Sequence, residues 1–512
     1  MKWNKLKFAG LAASVLLAGL LSACGGSGTT SGTASGGAAQ DNSPLQVNIM
    51  TILLNPTPPS DDNAIKKLIE EATNARLNIQ WVSSNSYKDK LNVTLASGDI
   101  PELTYIDEPF SPVFRSMAKQ GAFWDVTDYI KDYPNLSSKI SKTAWDLTKM
   151  EDGRNYSIPR PRPSEADSFF IVRKDWLDNL GLKPPTTVDE LYQVMKAFVE
   201  NDPDKNGKKD TIGLAGNVNL TDMGTFGNIG NSLAGINGNW KWVDNKMVYK
   251  DLLPEERKSL EYVIKMNQEK LIPEDFASLK GTQLKDMFKA GKAGIIVDKA
   301  GTMMDYITEL KKTVPTIKET DFYPLTSLNG FNPKGPGYAG VLTIPKTVPE
   351  AKMKRILKLL DTWMNDDVFA IQTYGIEGVD HTVKDGVKVV DQAKLNEHGG
   401  PDFNQIVYVA DPYASSTKSF FSKEADTLFR KIQDDRAKSS VADISIGLYS
   451  PTAQQVLPEF QKNLQDLKTK IILGREPIAA WDAYVEKMRN DPNIVKMSEE
   501  MTEAYKKRNG IK

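Results

Sequence analysis

Oxygen-bearing side chains recur with a fixed spacing between residues 202 and 210. The candidate ligands are Asp202, Asp204, Asn206 and Asp210, at relative positions 1, 3, 5 and 9. Gly207 stands at position 6, and the backbone carbonyl of Lys208, at position 7, is a further candidate. A calcium ion takes six to eight oxygen ligands, and the glycine permits the sharp turn that directs alternate side chains inward. The spacing therefore predicts a calcium loop.

The loop departs from a complete EF-hand. Position 12 would be Glu, and here it is Gly213. No helix is predicted to follow, because residues 212–214 have the composition of a strand. The pattern thus favours an EF-hand-like loop that binds Ca²⁺. A solvated polar turn between a helix and a strand is the alternative.

Residues for other chemistry are scarce. His381 and His398 are the two histidines, and neither has metal-ligand spacing to a partner. The chain contains no G-x-S-x-G turn, no P-loop sequence and no strand-bound G-x-G-x-x-G. Nothing marks any two carboxylates as the pair of a glycoside hydrolase. Because Asp and Glu occur throughout the chain, the residues alone leave glycoside hydrolysis open.

Aromatic side chains suggest a different activity. Trp240 and Trp242 follow a Gly- and Asn-rich stretch, in a segment predicted as a hairpin. Sugar rings present apolar C–H faces that can stack on such aromatic rings. These two tryptophans are therefore candidate ligand contacts, with ordinary core packing as the alternative.

The first residues have the composition of a secretory signal. Three lysines precede an apolar run, and the run ends in Leu21-Ser22-Ala23-Cys24. These four residues resemble the lipobox of bacterial lipoproteins. The resemblance implies that residues 1–23 are removed and that Cys24, the sole cysteine, receives lipid. Two or more acyl chains hold a protein stably at a membrane. We expect a location on the extracytoplasmic face of the cell membrane, through the lipid anchor only.

Composition limits the mature chain further. Residues 24–43 are rich in Gly, Ser and Thr and predict a flexible linker. Loss of the three signal lysines changes the formal net charge from −1 to −4, which argues against nucleic-acid binding. The remaining length favours more than one lobe.

Strand and helix patterns alternate from residue 44 onward. The first strand is predicted over 45–54, a helix capped by Asp61 or Asp62 follows, and further strands are predicted over 77–82, 103–106 and 169–173. This order is typical of an α/β protein with a largely parallel sheet. Between two of these strands, Pro159, Pro161 and Pro163 alternate with Arg160 and Arg162, which predicts a stiff crossover.

Several short motifs together resemble those of extracellular solute-binding protein family 1 of ABC importers, in the oligosaccharide-binding lipoprotein group. The motifs are ASGDIPE at 96–102, FWDVTDYI at 123–130, RKDWLDNLGL at 173–182, FKAGKA at 288–293 and GIEGVDH at 375–381. The resemblance implies a two-lobe periplasmic-binding-protein-like fold of type 2, with a hinge and a central cleft. It places 44–162 and 323–364 in the N-terminal lobe, and 163–322 and 365–512 in the C-terminal lobe.

The resemblance also implies function. Such a protein is a monomer that captures an oligosaccharide in the cleft and delivers it to the membrane subunits of an ABC permease. The resemblance therefore also predicts that the protein is not an enzyme. A surface glycan-degrading or glycan-adhering lipoprotein is the alternative. Related calcium loops usually carry Glu directly after the last Asp, where this chain has Thr211.

The implied ligand contacts lie on loops that face the hinge. They are Asn55, Asp107, Arg160, Trp240, Trp242, Tyr338, Glu377 and His381. Arg160 would additionally suit an acidic sugar, because a guanidinium pairs bidentately with a carboxylate.

Overall fold

A computed structural model of the chain describes residues 43–511, apart from residues 56, 385 and 414–421. The predicted signal peptide, Cys24 and the predicted linker up to residue 42 lie outside the described residues. Within the described part, no helix has both the length and the apolar character that crossing a membrane requires.

The fold alternates helices and strands throughout. The strands are β1 (Leu45–Leu53), β2 (Ala75–Ser83), β3 (Leu103–Ile106), β4 (Ile158–Pro161), β5 (Phe169–Arg173), β6 (Ile212–Ala215), β7 (Trp240–Val243), β8 (Lys246–Tyr249), β9 (Ala293–Asp298), β10 (Phe322–Pro324), β11 (Asn332–Lys334), β12 (Tyr338–Thr343), β13 (His381–Lys384), β14 (Val387–Val390) and β15 (Ser440–Ala442). The α-helices are α1 (Ala64–Thr73), α2 (Tyr87–Ser97), α3 (Pro112–Lys119), α4 (Pro134–Lys139), α5 (Lys142–Leu147), α6 (Lys174–Asn179), α7 (Val188–Glu200), α8 (Gly227–Ala234), α9 (Pro254–Gln268), α10 (Gly281–Lys289), α11 (Met303–Leu310), α12 (Glu350–Trp363), α13 (Asp366–Tyr374), α14 (Gln392–Glu397), α15 (Lys423–Ser439), α16 (Pro451–Ile472), α17 (Ile478–Arg489) and α18 (Pro492–Asn509).

The first sheet has the strand order β2-β1-β3-β12-β4. β1 runs parallel to β2 and β3, whereas β12 runs antiparallel to β3 and β4. Consequently β4 is parallel to β3. The carboxyl ends of β1, β3 and β4 and the amino end of β12 therefore share one edge of the sheet, which we call the first edge.

The second sheet has the order β10-β5-β9-β6. β5 is antiparallel to both β10 and β9, and β6 is parallel to β9. The amino end of β5 thus lies at the same edge as the carboxyl ends of β6, β9 and β10. The chain passes directly from β4 at the first edge to β5 at this second edge, through residues 162–168, so the two edges meet at the crossover.

Each sheet has its own hydrophobic core. The first core includes Val47, Ile49 and Leu103 and the helical residues Ile65 and Ile356. The second sheet is covered on its two faces by separate clusters, which contain the neighbouring β5 residues Phe170 and Ile171 respectively. Burial on both faces is typical of a sheet sandwiched between helices. The predicted two-lobe α/β fold is confirmed.

The lobe boundaries given above stay predictions. Tyr323 and Pro324 belong to β10 and therefore to the second sheet, although the prediction assigns them to the N-terminal lobe. Val368, Leu395 and Phe403 pack in the first core, although the sequence assigns them to the C-terminal lobe. Ala425 packs in a cluster of the second sheet. These contacts favour a second crossover within 325–337 and a return to the second lobe after residue 408.

Candidate functional site

Four of the predicted ligand residues lie at the first edge. Asn55 follows β1 and is exposed, and Asp107 follows β3 and is half-buried. Arg160 lies in β4, and Tyr338 begins β12 opposite Pro161. Because parallel strands end together, side chains from four separate parts of the chain converge on this edge.

Arg160 uses most of its hydrogen-bond donors within the protein. Its side chain is 5 % exposed. Its Nε donates to the Ala339 carbonyl at 2.9 Å, its Nη1 to the backbone and side-chain oxygens of Gln405 at 3.0 and 2.7 Å, and its Nη2 to the Tyr105 hydroxyl at 3.2 Å. Four of its five N–H donors are thereby used. Arg160 therefore lies behind the first edge and holds the surrounding backbone and side chains in place.

Arg162 is the arginine that keeps donors available. It is half-buried, its Nη1 donates to the Pro161 carbonyl at 2.8 Å, and its Nη2 donates to the Asn404 carbonyl at 3.2 Å. Three N–H groups remain for a ligand. Residues two apart on an extended segment point the same way, so the alternation of proline and arginine could have identified Arg162 beside Arg160.

The arginine pair, Arg160 and Arg162, has an unusual electrostatic setting. Neither makes an ion pair with a carboxylate among the described residues. Their neighbours are aromatic: Arg160 lies 4.3 Å from the ring centroid of Tyr105, and Arg162 lies 4.3 Å from that of Tyr408. Burial and the positive charge of Arg160 lower the pKa of Arg162 to about 9. An incoming anion would therefore relieve both the burial cost and the repulsion.

The 3-10 turn at Gly400–Gln405 connects the parts of this edge. Asn55 Nδ2 donates to Asp402 Oδ1 at 2.8 Å, and Thr51 Oγ1 donates to the Gln405 carbonyl at 2.8 Å. Asn404 and Gln405 hold the arginine pair from the other side. This turn was not among the predicted site residues. The polar residues Asp402, Asn404 and Gln405, which follow Gly399 and Gly400, are the one local signal that could have indicated it.

The second lobe contributes a carboxylate beside Tyr338. Asp443 follows β15 and accepts hydrogen bonds from the backbone N and the Oγ of Ser445 at 2.7 and 2.6 Å. Burial raises the pKa of Asp443. Burial, together with the charge of Asp443, raises the pKa of Tyr338 to about 12. A phenol and a carboxylate from opposite lobes thus interact electrostatically, and both carry oxygen atoms that suit ligand hydroxyls.

The predicted contact through Trp240 requires correction. Trp240 is 4 % exposed and packs edge-to-face on Tyr249 at 5.3 Å in the second core. Trp242 is half-buried, with its ring centroid 4.7 Å from that of Tyr505 on α18. The β7–β8 hairpin is covered by this C-terminal helix, so the structure supports core packing for Trp240 and helix contact for Trp242.

The remaining pair of predicted ligand residues lies around the short β13 strand. Glu377 is exposed, whereas His381 is 4 % exposed. His381 Nδ1 lies 2.9 Å from the Tyr374 carbonyl, which accepts its proton in the Nδ1–H tautomer. The structure does not bring either residue to the arginine pair, and His381 is enclosed by its own lobe.

The predicted calcium loop has a defined internal arrangement. Asp202 accepts hydrogen bonds from the backbone N of Asn206 at 3.1 Å and of Gly207 at 3.0 Å. Asn206 Nδ2 donates to Asp204 at 2.8 Å and to Asp210 at 3.2 Å. The backbone N of Lys208 donates to Asn206 Oδ1 at 2.7 Å. The candidate side chains therefore turn toward a common centre at Asn206.

The donor set fits calcium in type. Burial and the neighbouring carboxylates of Asp202 and Asp210 raise the pKa of Asp204, so the cluster carries negative charge that a cation would offset. Thr211 does not join it, because its Oγ1 donates to the Phe198 carbonyl at 2.6 Å. As the described side chains stand, no three Asp, Glu, His or Cys residues are arranged to hold a metal ion.

Two α/β lobes joined by crossovers, with polar and cationic side chains at the facing edges, define a protein that binds a solute between its lobes. Residues 55–368 match the family model described as bacterial extracellular solute-binding protein. The polygalacturonan/rhamnogalacturonan-binding protein YtcQ of Bacillus subtilis is 33 % identical, over 98 % of this chain and 99 % of its own. The chain belongs to the bacterial extracellular solute-binding protein family.

Solved structures show the same fold. The HMO-binding, ABC-transporter-associated solute-binding protein of Bifidobacterium longum infantis is 20 % identical and matches with a TM-score of 0.69. That match covers 91 % of this chain and 99 % of that one. The alginate-binding protein AlgQ2, in a structure without calcium ion, is 18 % identical with a TM-score of 0.64, over 90 % and 98 %. Since relatives of this family are binding proteins of transporters, the prediction of a non-enzyme is confirmed.

Proposed function

We propose that the protein is the extracytoplasmic receptor of an ABC importer and that it captures an acidic oligosaccharide of galacturonate type between its lobes. The observation that carries the acidic class is the arginine pair, because two cations sit at the first edge without a carboxylate partner in the described chain. A uronate carboxylate matches the fork of a guanidinium. The name of the B. subtilis relative, which binds polygalacturonan or rhamnogalacturonan, supports this class of solute.

The surrounding groups suit the rest of a sugar. Tyr338, Asp443 and Asp107 offer oxygen atoms for hydroxyl groups, and Tyr408 presents part of its ring beside Arg162. Enclosing such a ligand between lobes removes water from the ion pair and strengthens it. Closure of the two lobes about the crossovers would be the change that the permease reads.

Calorimetry with trisaccharides of equal length tests this proposal. Trigalacturonate is expected to bind at least about tenfold more tightly than galactotriose, since hydrogen bonds to charged groups contribute about 1.5–3 kcal/mol. Maltotriose serves as a second neutral control. Equal affinity for the acidic and neutral sugars would contradict the acidic class. Release of reducing sugar from either would contradict a receptor without turnover.

Calcium in the 202–210 loop is a second part of the proposal. A ligand that binds only the folded state stabilises it by RT ln(1 + [L]/Kd), about 2.7 kcal/mol at a hundredfold excess over Kd. Chelation with EGTA should therefore lower the melting temperature, and Asp204→Ala should melt as if chelated. Asp286→Ala, at an exposed position of α10, is the control and should respond to calcium like the wild type. A melting temperature that changes with neither calcium nor EGTA would contradict the calcium site.

We further propose that Cys24 carries the lipid that holds the receptor, as a monomer, at the outer face of the membrane beside its permease. The lipobox-like residues 21–24 support this anchor. Mass spectrometry of the N-terminal peptide from membrane fractions tests it, and a peptide that extends upstream of Cys24 or lacks acyl mass would contradict it.

A further inference from the structure

The two lobes touch away from the crossovers, at the 446–449 turn that precedes α16. Gly447 has a φ of +80°, and a Cβ built there would lie 3.1 Å from the Leu147 carbonyl oxygen and 3.4 Å from the Phe110 ring. Leu147 and Phe110 pack against the first core, whereas Leu448 packs against the second. Both the backbone angle and the close approach favour glycine at this contact.

Arg115 of α3 completes the contact from the first lobe. Its Nη2 donates to the Leu448 carbonyl at 3.3 Å. Its guanidinium lies 4.9 Å from the ring centroid of Tyr449 in the second lobe and 4.7 Å from that of Phe110 in the first. The cation is therefore held between one aromatic ring from each lobe.

Partners within the first lobe keep Arg115 in place. Its Nη1 pairs with the Glu151 carboxylate, and its Nε donates to the Phe110 carbonyl at 3.0 Å. If the lobes separate, these interactions remain, and only the long bond to Leu448 and the contact with Tyr449 are lost. Tyr449 is 37 % exposed, and cation–π contacts at exposed sites are weak. Arg115 is therefore already in position before the lobes meet, and its contacts with the second lobe are weak enough to break easily.

A groove of about 780 Å³ runs beside this contact, with Met150 of the first lobe and Ile446 of the second among its walls. At this face the lobes therefore meet through a narrow contact and do not share a core. α3 begins five residues after Asp107, which lies at the first edge. In the second lobe, Asp443 precedes Gly447 by four residues. On both lobes the contact therefore lies within a few residues, along the chain, of side chains of the proposed cleft.

We infer that Arg115 and the 446–449 turn form a latch across the mouth of the cleft, which holds the lobes together with or without solute and opens for release. The latch rests on the proposed function only in that a solute occupies the cleft that it closes. Its geometry predicts that weakening it opens the ligand-free lobes and accelerates solute release.

Gly447→Ala and Tyr449→Ala test the latch by separate routes, one by crowding the Leu147 carbonyl and the other by loss of the ring. Gly474→Ala is the matched control, because Gly474 also has a positive φ, of +71°, but its added Cβ would meet nothing within 4 Å. Two measurements are made on each variant: small-angle X-ray scattering without ligand, and stopped-flow dissociation of trigalacturonate.

Both latch variants are expected to have a larger ligand-free radius of gyration than the wild type and the control. They should also release trigalacturonate about two- to fivefold faster, the equivalent of losing one weak cation–π contact. Variants that match Gly474→Ala in both scattering and release would overturn the latch. If the wild type does not bind trigalacturonate, the proposed solute class fails, while the ligand-free scattering still decides for or against the latch.

Discussion

Replacing Lys468 by Met is expected to lower the free energy of unfolding by about 3–5 kcal/mol, the cost of leaving buried charges without a partner. Lys468 on α16 is 2 % exposed, and its Nζ bonds to Asp251 and Glu256, which are 3 % and 6 % exposed. Methionine preserves the length and most of the volume of lysine. The expected loss of stability therefore comes from Asp251 and Glu256, which remain buried without their cation.

The pH dependence of this loss has a defined sign. Burial raises the pKa of Asp251 already in the wild type. Without Lys468, the folded-state pKa values of both carboxyls should lie above those of the unfolded chain. The folded variant then binds more protons, so its stability falls as pH rises through those values. The difference from wild type should accordingly be larger at pH 8 than at pH 5.

Urea denaturation of matched variants checks the Lys468 prediction. Lys470→Met removes an exposed i,i+4 pair with Asp466, at 2.7 Å, and should cost no more than about 0.5 kcal/mol. Combining Lys468→Met with Asp251→Asn and Glu256→Gln removes the charges and should recover more than half of the loss. A Lys468→Met protein as stable as the Lys470→Met control would show that the buried interaction of Lys468 with Asp251 and Glu256 does not stabilise the fold.

Local patterns predict much of the fold and fail where distant segments decide. The predicted bounds of β3 and β5 match the structure to the residue. The α1 cap does not: Asp61 or Asp62 was predicted, but the side chain of Asn63 accepts from the backbone N of Lys66. Three adjacent residues can all cap, and the burial of Ile65 and Ile69 selects the register.

The two tryptophans show why the candidate site was harder to predict. Their hairpin is bound by α18, where Thr502 Oγ1 accepts from the backbone N of Met247 at 2.9 Å, 255 residues along the chain. The arginine pair likewise depends on residues far away in the sequence, since Gln405 lies 245 residues from Arg160 along the chain. Spacing within a motif cannot reveal such partners, whereas strand-end positions such as Asn55 and Asp107 follow from topology alone.

Replacing Arg162 by Gln is expected to weaken trigalacturonate binding by about 2–5 kcal/mol, the usual effect of truncating one member of an enclosed charge pair. Arg162 is chosen over Arg160 because three of its N–H groups remain available, whereas Arg160→Gln would leave the acceptors of its own lobe without donors. Galactotriose affinity should change by less than about 0.5 kcal/mol, because glutamine still donates hydrogen bonds to hydroxyl groups and no charge pair is lost.

Two further variants make the result specific to the guanidinium at this position. Arg162→Lys keeps the charge and loses the planar fork, so its affinity for trigalacturonate should fall between those of the wild type and Arg162→Gln. Arg257→Gln is the control, because Arg257 is a partly exposed residue on α9 that pairs with Asp482 at 2.7 Å. Calorimetry at fixed ionic strength compares all four proteins. If Arg162→Gln and Arg162→Lys both bind trigalacturonate as tightly as Arg257→Gln, the uronate carboxylate is held by residues other than Arg162.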